Sequence, residues 1–243
     1  EAINPEDRER LEKACSTGQT TFYGTGVNPG FAFDAFPIAL TAVARRIDRL
    51  HVLELVDMSD YTSESIVSDL IGMGLRPDTM APMEYLTDLR WSPYFPCVQL
   101  LTDALRVTYD EFVIQHTKAV TDVPIDLPWG RVEAGTVAVR RIVIEAVTAG
   151  STTVEYELIW RVSNDAAPQW PSGKAHYAVT ITGDPTLTCR LDIESDTGRG
   201  TSIATAMAAV NAIPAVCAAA PGIRTRLDLD YFGGGYFPAS AAL

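Results

Sequence analysis

Gly24-Thr25-Gly26-Val27-Asn28-Pro29-Gly30 follows a short run of strand formers, Thr20 to Tyr23, and precedes an apolar segment. Two readings of this stretch lead to different folds. As G-x-G-x-x-x-G between strand and helix it is a loosened dinucleotide fingerprint. Gly24 and Gly26 then form a cofactor-binding turn, and Asp57, at the end of the next strand, takes the ribose position. As a helix start, Asn28 is the N-cap and Pro29 the first helical residue. Gly30 and Phe31 then leave N–H groups free to receive a carboxylate. Asp34 followed by Pro37 offers a second helix start. Three features favour the helix start. Pro29 removes an N–H from a loop meant to present them, the spacing departs from the strict motif, and the later chain turns strand-rich.

Outward from this turn the chain divides into three stretches. To about residue 106, helix and strand signals mix. Residues 4–15 predict a charged helix with Asn4 as cap and Pro5 first. Phe36, Leu40, Val43 and Ile47 recur at helical spacing. Leu50 to Val56 predicts a buried strand, and Ser63 to Ile71 a helix ended by Gly72 and Gly74. Residues 76–96 predict an ordered loop with short helical turns, and Pro96 to Arg106 another helix. From 107 to 196 the period is two: Val154, Tyr156, Leu158, Trp160 and Val162 alternate with Thr153, Glu155, Glu157, Ile159 and Arg161. The runs 176–182 and 187–194 behave alike. Gly150-Ser151 and Gly183-Asp184-Pro185 are turns. An Ala-rich helix follows from Thr201 to Ala219, with Ile203, Met207, Val210 and Cys217 on one stripe and Pro214 inside. A tail with Gly233-Gly234-Gly235 ends the chain. The expected fold is α+β: a mixed, largely antiparallel sheet with helices packed on one face, as a single domain over 1–243.

Composition narrows the function. The 243 residues are 47% hydrophobic and carry a net charge of −12. Such an acidic chain repels phosphate backbones and anionic lipids, which argues against nucleic-acid and membrane partners. No apolar run reaches the roughly 20 residues of a membrane span, and no signal peptide precedes the fold, so a cytoplasmic location is expected. Cys15, Cys97, Cys189 and Cys217 lie far apart and read as reduced core thiols. His51, His116 and His176 lack metal-ligand spacing, so no metal is expected. His51 reads as a structural histidine. His116 and Lys118 share one strand face, read as solvated. There is no G-x-S-x-G elbow. Trp170 sits in a loop where it closes over a ligand or packs. Trp91, Tyr94 and Phe95 line a cleft or pack in the core.

The run Thr20 to Pro37, T-T-F-Y-G-T-G-V-N-P-G-F-A-F-D-A-F-P, resembles the start of the second domain in 2,4-diaminopentanoate dehydrogenase-like proteins, relatives of dihydrodipicolinate reductase. Leu55-Val56-Asp57-Met58-Ser59, the Gly72-Met73-Gly74 turn and Ala-Val-Asn-Ala-Ile-Pro at 209–214 fit the same family. The resemblance implies a substrate and oligomerisation domain that follows an N-terminal Rossmann domain absent from this sequence. It implies hydride transfer between NADP or NAD and a C–N centre of an amino-acid-like substrate. It places Asn28, Pro29 and Gly30 at the substrate, with Asp57 holding an ammonium and Ser59 donating a hydrogen bond. A homo-oligomer, dimer or tetramer, is expected. Dihydrodipicolinate reductases carry His-His-x-x-Lys…Ser-Gly-Thr after the comparable strand. Here the chain reads Val56-Asp57-Met58-Ser59-Asp60-Tyr61-Thr62-Ser63-Glu64, so their reaction is not implied. Two other functions fit the residues: a non-catalytic ligand-binding or dimerisation module, and a self-contained reductase using the 24–30 turn as its cofactor loop.

Overall fold

Period-two segments pair into ladders when each can bury one face, and that is how the middle of this chain folds. The computed structural model describes residues 5–87, 94–196 and 200–234. They form two compact units. One runs through Phe36 and resumes at Glu194; the other spans Pro37–Ile193.

The larger unit is a six-stranded sheet in the order β3-β6-β7-β2-β8-β9. Its strands are β2 (Arg46–Asp57), β3 (Glu111–Val120), β6 (Val137–Thr148), β7 (Ser151–Arg161), β8 (His176–Asp184) and β9 (Leu187–Leu191). A separate hairpin joins β4 (Ile125–Leu127) to β5 (Gly130–Val132). Only β2 and β7 run parallel; the other ladders of the large sheet are antiparallel. The expected mixed, largely antiparallel sheet is therefore observed. Helix α3 (Phe95–Leu105) and a helical turn at Pro82–Thr87 pack on one face, against β6, β7 and β3. Phe95 meets the Phe112 ring edge-on at 4.7 Å. Leu50, Val52, Tyr156, Leu158 and Ile144 fill the core of that face and are fully buried.

The smaller unit holds α1 (Pro5–Gly18), β1 (Thr21–Tyr23), α4 (Gly200–Ala218) and β10 (Gly222–Arg224). β1 and β10 pair in parallel, with Thr21 opposite Gly222 and Tyr23 opposite Arg224. α1 packs on β10 and α4 on β1.

Several local expectations need correction. The chain does not enter a helix at Asn28-Pro29. Gly30 precedes a single 3-10 turn at Phe31–Phe33, and α2 begins only at Ala35 and ends at Thr41. The start flagged by Asp34 is the one used: its carboxylate accepts the Ala35 N–H. The helical spacing of Phe36, Leu40, Val43 and Ile47 breaks after Leu40. Val43 is exposed, and Ile47 lies in β2 opposite Gly183. Here sheet pairing overrides a short local period. Residues 65–70 form one wide π-type turn, closed by Gly72 and Gly74 at φ +82°. Cys217 is exposed, whereas Cys15 and Cys97 are buried as expected. Helix α4 has 19 residues and is long and apolar enough to cross a membrane by length and composition, contrary to the sequence reading. Asn4, Trp91 and Gly235 lie outside the described residues.

Candidate functional site

A carboxylate in mid-strand among apolar neighbours needs a reason, because burying an ionised acid is costly without partners. Glu54 is such a group. It sits in the run Leu53-Glu54-Leu55 of β2, on the face that α3 covers, and only 5% of it is exposed. The Trp160 indole N–H donates to its Oε2 at 3.3 Å. The Tyr177 hydroxyl hydrogen-bonds to the same carboxylate from β8, where Tyr177 stands opposite Glu54 in the ladder. Tyr94, at the start of α3, lies 5.9 Å from the Tyr156 ring and 6.2 Å from the Trp160 ring.

Burial and then the negative charge of Glu54 push the phenols of Tyr177, Tyr94 and Tyr61 upward. Asp57 adds to the field at Tyr61. Two carboxylates and a set of aromatic rings thus converge at the C-terminal end of β2. Carboxylate plus aromatic faces is the chemistry that receives an organic cation. Sequence reading missed Glu54, Tyr61 and Tyr177. The available signal was one acid inside His51-Val52-Leu53-Glu54-Leu55-Val56, the most apolar part of β2.

Of the residues selected from sequence, Asp57 and Ser59 lie at the end of β2 in an Asx turn. The Ser59 N–H donates to Asp57 Oδ1 at 3.0 Å. Gly24, Gly26, Asn28, Pro29 and Gly30 share one turn in the smaller unit. Of the two N–H groups expected to be free there, that of Phe31 is engaged, as are the two that follow it. Phe31 donates to the Gly26 carbonyl at 2.9 Å, Ala32 to Val27 at 2.9 Å and Phe33 to Gly30 at 2.8 Å. A pyrophosphate cradle needs outward N–H groups at a helix start. Here the Phe31, Ala32 and Phe33 N–H groups turn inward and a helical segment of only one turn follows, unlike the long helix that opens at such a cradle.

Two further polar clusters are structural. On β3, His116 and Lys118 do share a face, but it is covered and not solvated. Both reach Glu84, Lys118 at 3.0 Å and His116 at 3.7 Å, and fully buried Arg140 closes the group at 2.9 Å. Burial alone would raise the Glu84 carboxyl. The Ala81 N–H, Lys118 and Arg140 outweigh it and hold Glu84 at about 2. Burial first, then the Arg140 charge, pushes His116 down to about 4.

On the opposite sheet face, His51, Glu155 and Glu157 bring three potential metal-ligand atoms within 4.8 Å of one another. Each carboxylate already has a guanidinium: Arg49 on Glu155 and Arg141, at 2.6 Å, on Glu157. His51 bridges to Glu157 at 2.8 Å. Two acids against two arginines are neutral, and a divalent ion would stand beside both cations. The group is an ion-pair array. His51 is partnered by Glu157 through its Nε2. The Arg141 guanidinium also lies 6.0 Å from the ring of half-buried Trp170.

The fold is that of an α+β domain with a mixed, largely antiparallel sheet. The family of 2,4-diaminopentanoate dehydrogenase C-terminal domains matches residues 31–233, and the chain belongs to it. An amine dehydrogenase of Streptomyces virginiae is 27% identical over 234 residues, which cover 93% of this chain and 64% of the relative. The solved amine dehydrogenase of Mycobacterium smegmatis shares the fold, with a TM-score of 0.72 at 20% identity, over 96% of this chain and 65% of that one. The chain therefore spans just under two thirds of the length of these relatives.

Proposed function

We propose that this chain is the substrate-binding part of an oxidoreductase that interconverts an amine and a carbonyl compound with NAD or NADP as redox partner. The observation that carries the reading is buried Glu54, hydrogen-bonded by Trp160 and Tyr177, in a chain of a dehydrogenase family. The nicotinamide nucleotide would be held by residues outside this chain.

Glu54 receives the substrate ammonium, and the rings of Tyr94, Tyr156 and Trp160 exclude water around the carbon that bears it. Asp57 supplies a second negative charge near Tyr61, held by its Asx turn, with Ser59 as a hydrogen-bond donor. Glu54 and Asp57 favour a simple amine over an amino acid, whose carboxylate they would repel.

Titration with a primary alkylamine, followed by intrinsic tryptophan fluorescence, tests the reading. Saturable binding is expected, weakened at least tenfold in Glu54→Gln and much less in Tyr177→Phe, while an alcohol of equal length does not bind. Unchanged amine affinity in a folded Glu54→Gln protein overturns it.

A further inference from the structure

Successive strand residues point to opposite faces of a sheet, so a residue on one face can fix its neighbour on the other. Trp160 donates to Glu54 on the helix-covered face, and the next residue, Arg161, points to the opposite face. Tyr177, the second donor to Glu54, is the second residue of β8, just past the loop that leaves Arg161. The two donors of the buried carboxylate therefore flank one segment, residues 162–175.

That segment is folded around the Arg161 side chain, which has no exposed surface. Its Nε donates to the Ser163 carbonyl at 2.9 Å, one terminal nitrogen to Trp170 and Pro171, and the other to Ala166 and Ala167. Ala167 is held at φ +52°, a conformation that is unfavourable for a residue with a Cβ. Its carbonyl also accepts the Trp170 N–H at 3.1 Å. The Gly173 N–H closes the base of the loop on Asn164 Oδ1 at 2.9 Å.

A buried guanidinium is costly without an opposite charge. Among the described residues none of the Arg161 hydrogen bonds goes to a carboxylate. The charge that reaches it is that of Asp57, which stands opposite it in the β2–β7 ladder. The Arg161 carbonyl also accepts the Met58 N–H at 2.8 Å. That bond carries the pairing one residue past β2, into the turn that Asp57 and Ser59 form. A strained residue and a buried charge in one loop are features of sites that must keep a fixed geometry.

We infer that Arg161 is a positioning residue of the proposed amine site: from the far face of the sheet it fixes Trp160 and Tyr177 about Glu54 and holds the turn that carries Asp57. The inference rests on the function proposed above. Lysine cannot take the place of Arg161, because a single ammonium lacks the planar fork that spans these carbonyls.

The test uses the full-length natural protein, isotope-labelled at tryptophan. It follows the Trp160 indole N–H by NMR, with Trp160→Phe identifying the signal. Arg161→Lys is measured at a temperature where circular dichroism shows it folded. Its Trp160 signal should shift, and the indole proton should exchange with water about tenfold faster. Its affinity for butylamine should fall about fivefold or more. Asn164→Ala, at an exposed position, keeps Arg161 and loosens the loop base, and a smaller change in the same readings is expected. A role confined to closing the loop would speed proteolysis and leave the indole signal where it is. An unmoved Trp160 signal in folded Arg161→Lys therefore overturns the inference, and if that variant does not fold, an unmoved signal in Asn164→Ala does so. Unchanged butylamine affinity in folded Arg161→Lys overturns it as well. If the unmodified protein binds no butylamine while the Trp160 signal follows Arg161, the proposed function falls and the positioning of Trp160 stands. Butylamine binding with an unmoved signal removes only the role of Arg161.

Discussion

The Trp160 indole N–H and Glu54 Oε2 are 3.3 Å apart although their residues lie 106 positions apart in the chain. The contact exists because β2 and β7 are the one parallel pair in the sheet and place Val56 opposite Trp160. A hydrogen bond from a neutral donor to a buried carboxylate contributes about 1.5–3 kcal/mol. Trp160→Phe keeps an aromatic ring but removes the donor and part of the buried ring volume. Chemical denaturation should show a loss of about 1–3 kcal/mol, and amine affinity should fall less than in Glu54→Gln.

Breaking the Glu84–Arg140 pair should cost more. Arg140 has no exposed surface, and its loss of partner leaves a buried charge. Glu84→Gln should destabilise the protein by roughly 3–5 kcal/mol. Removing the charges of Glu84, Arg140 and Lys118 together should cost less than the single change, a difference that urea melts of both variants resolve.

The same cluster sets an acid limit. Glu84 has a folded pKa of about 2, below its ordinary value, so its contribution is present above the unfolded pKa and fades as pH falls toward 2. His116, at about 4, lies below its ordinary value too. The unfolded state therefore binds its proton first, and stability falls between about pH 6.5 and 4. Both effects have one sign. Stability against urea should decline steadily below about pH 6.5, and His116→Gln should flatten the upper part of that decline.

Two glycines of one turn should behave oppositely. Gly30 has φ +136°, and a Cβ there would strike the Gly26 carbonyl and lie 2.6 Å from its nitrogen. Gly30→Ala should cost at least about 2 kcal/mol through strain. Around Gly24 nothing lies within 4 Å, so Gly24→Ala should change stability by less than about 0.5 kcal/mol. If the turn does not carry phosphate, Gly24→Ala should also leave nucleotide affinity of the full-length protein unchanged.

The Arg161 side chain is fully buried and donates to carbonyls of Ser163, Ala166, Ala167, Trp170 and Pro171. Arg161→Lys retains the charge and loses the fork. The loop should loosen, seen as increased proteolysis between Ser163 and Gly173.

Much of this architecture is written in local periodicity. The runs around 154–162, 176–182 and 187–191 alternate cleanly, and each is a strand, because one buried face is a local property. Phe36 to Ile47 misleads, because four apolar residues at helical spacing cannot reveal that Arg46 onward will pair with β8. Glu54 was overlooked for a related reason. Its meaning depends on Trp160 and Tyr177, from β7 and β8, and no spacing in one strand announces them. Asp57 and Ser59 enter through the family resemblance, and the structure places them in a local turn at the end of β2. The carboxylate array on the other sheet face was hidden in the same way, since His51 and Glu155 meet only through the β2–β7 register.

The raised phenols around Glu54 have a chemical consequence. A lysine-like ammonium gives up its proton near 10.4, in the range where ordinary tyrosines also ionise. Here the tyrosines keep their protons beyond that range. If an amine binds beside Glu54 as proposed, an alkaline titration of binding is expected to read the amine's proton before those of Tyr94 and Tyr177.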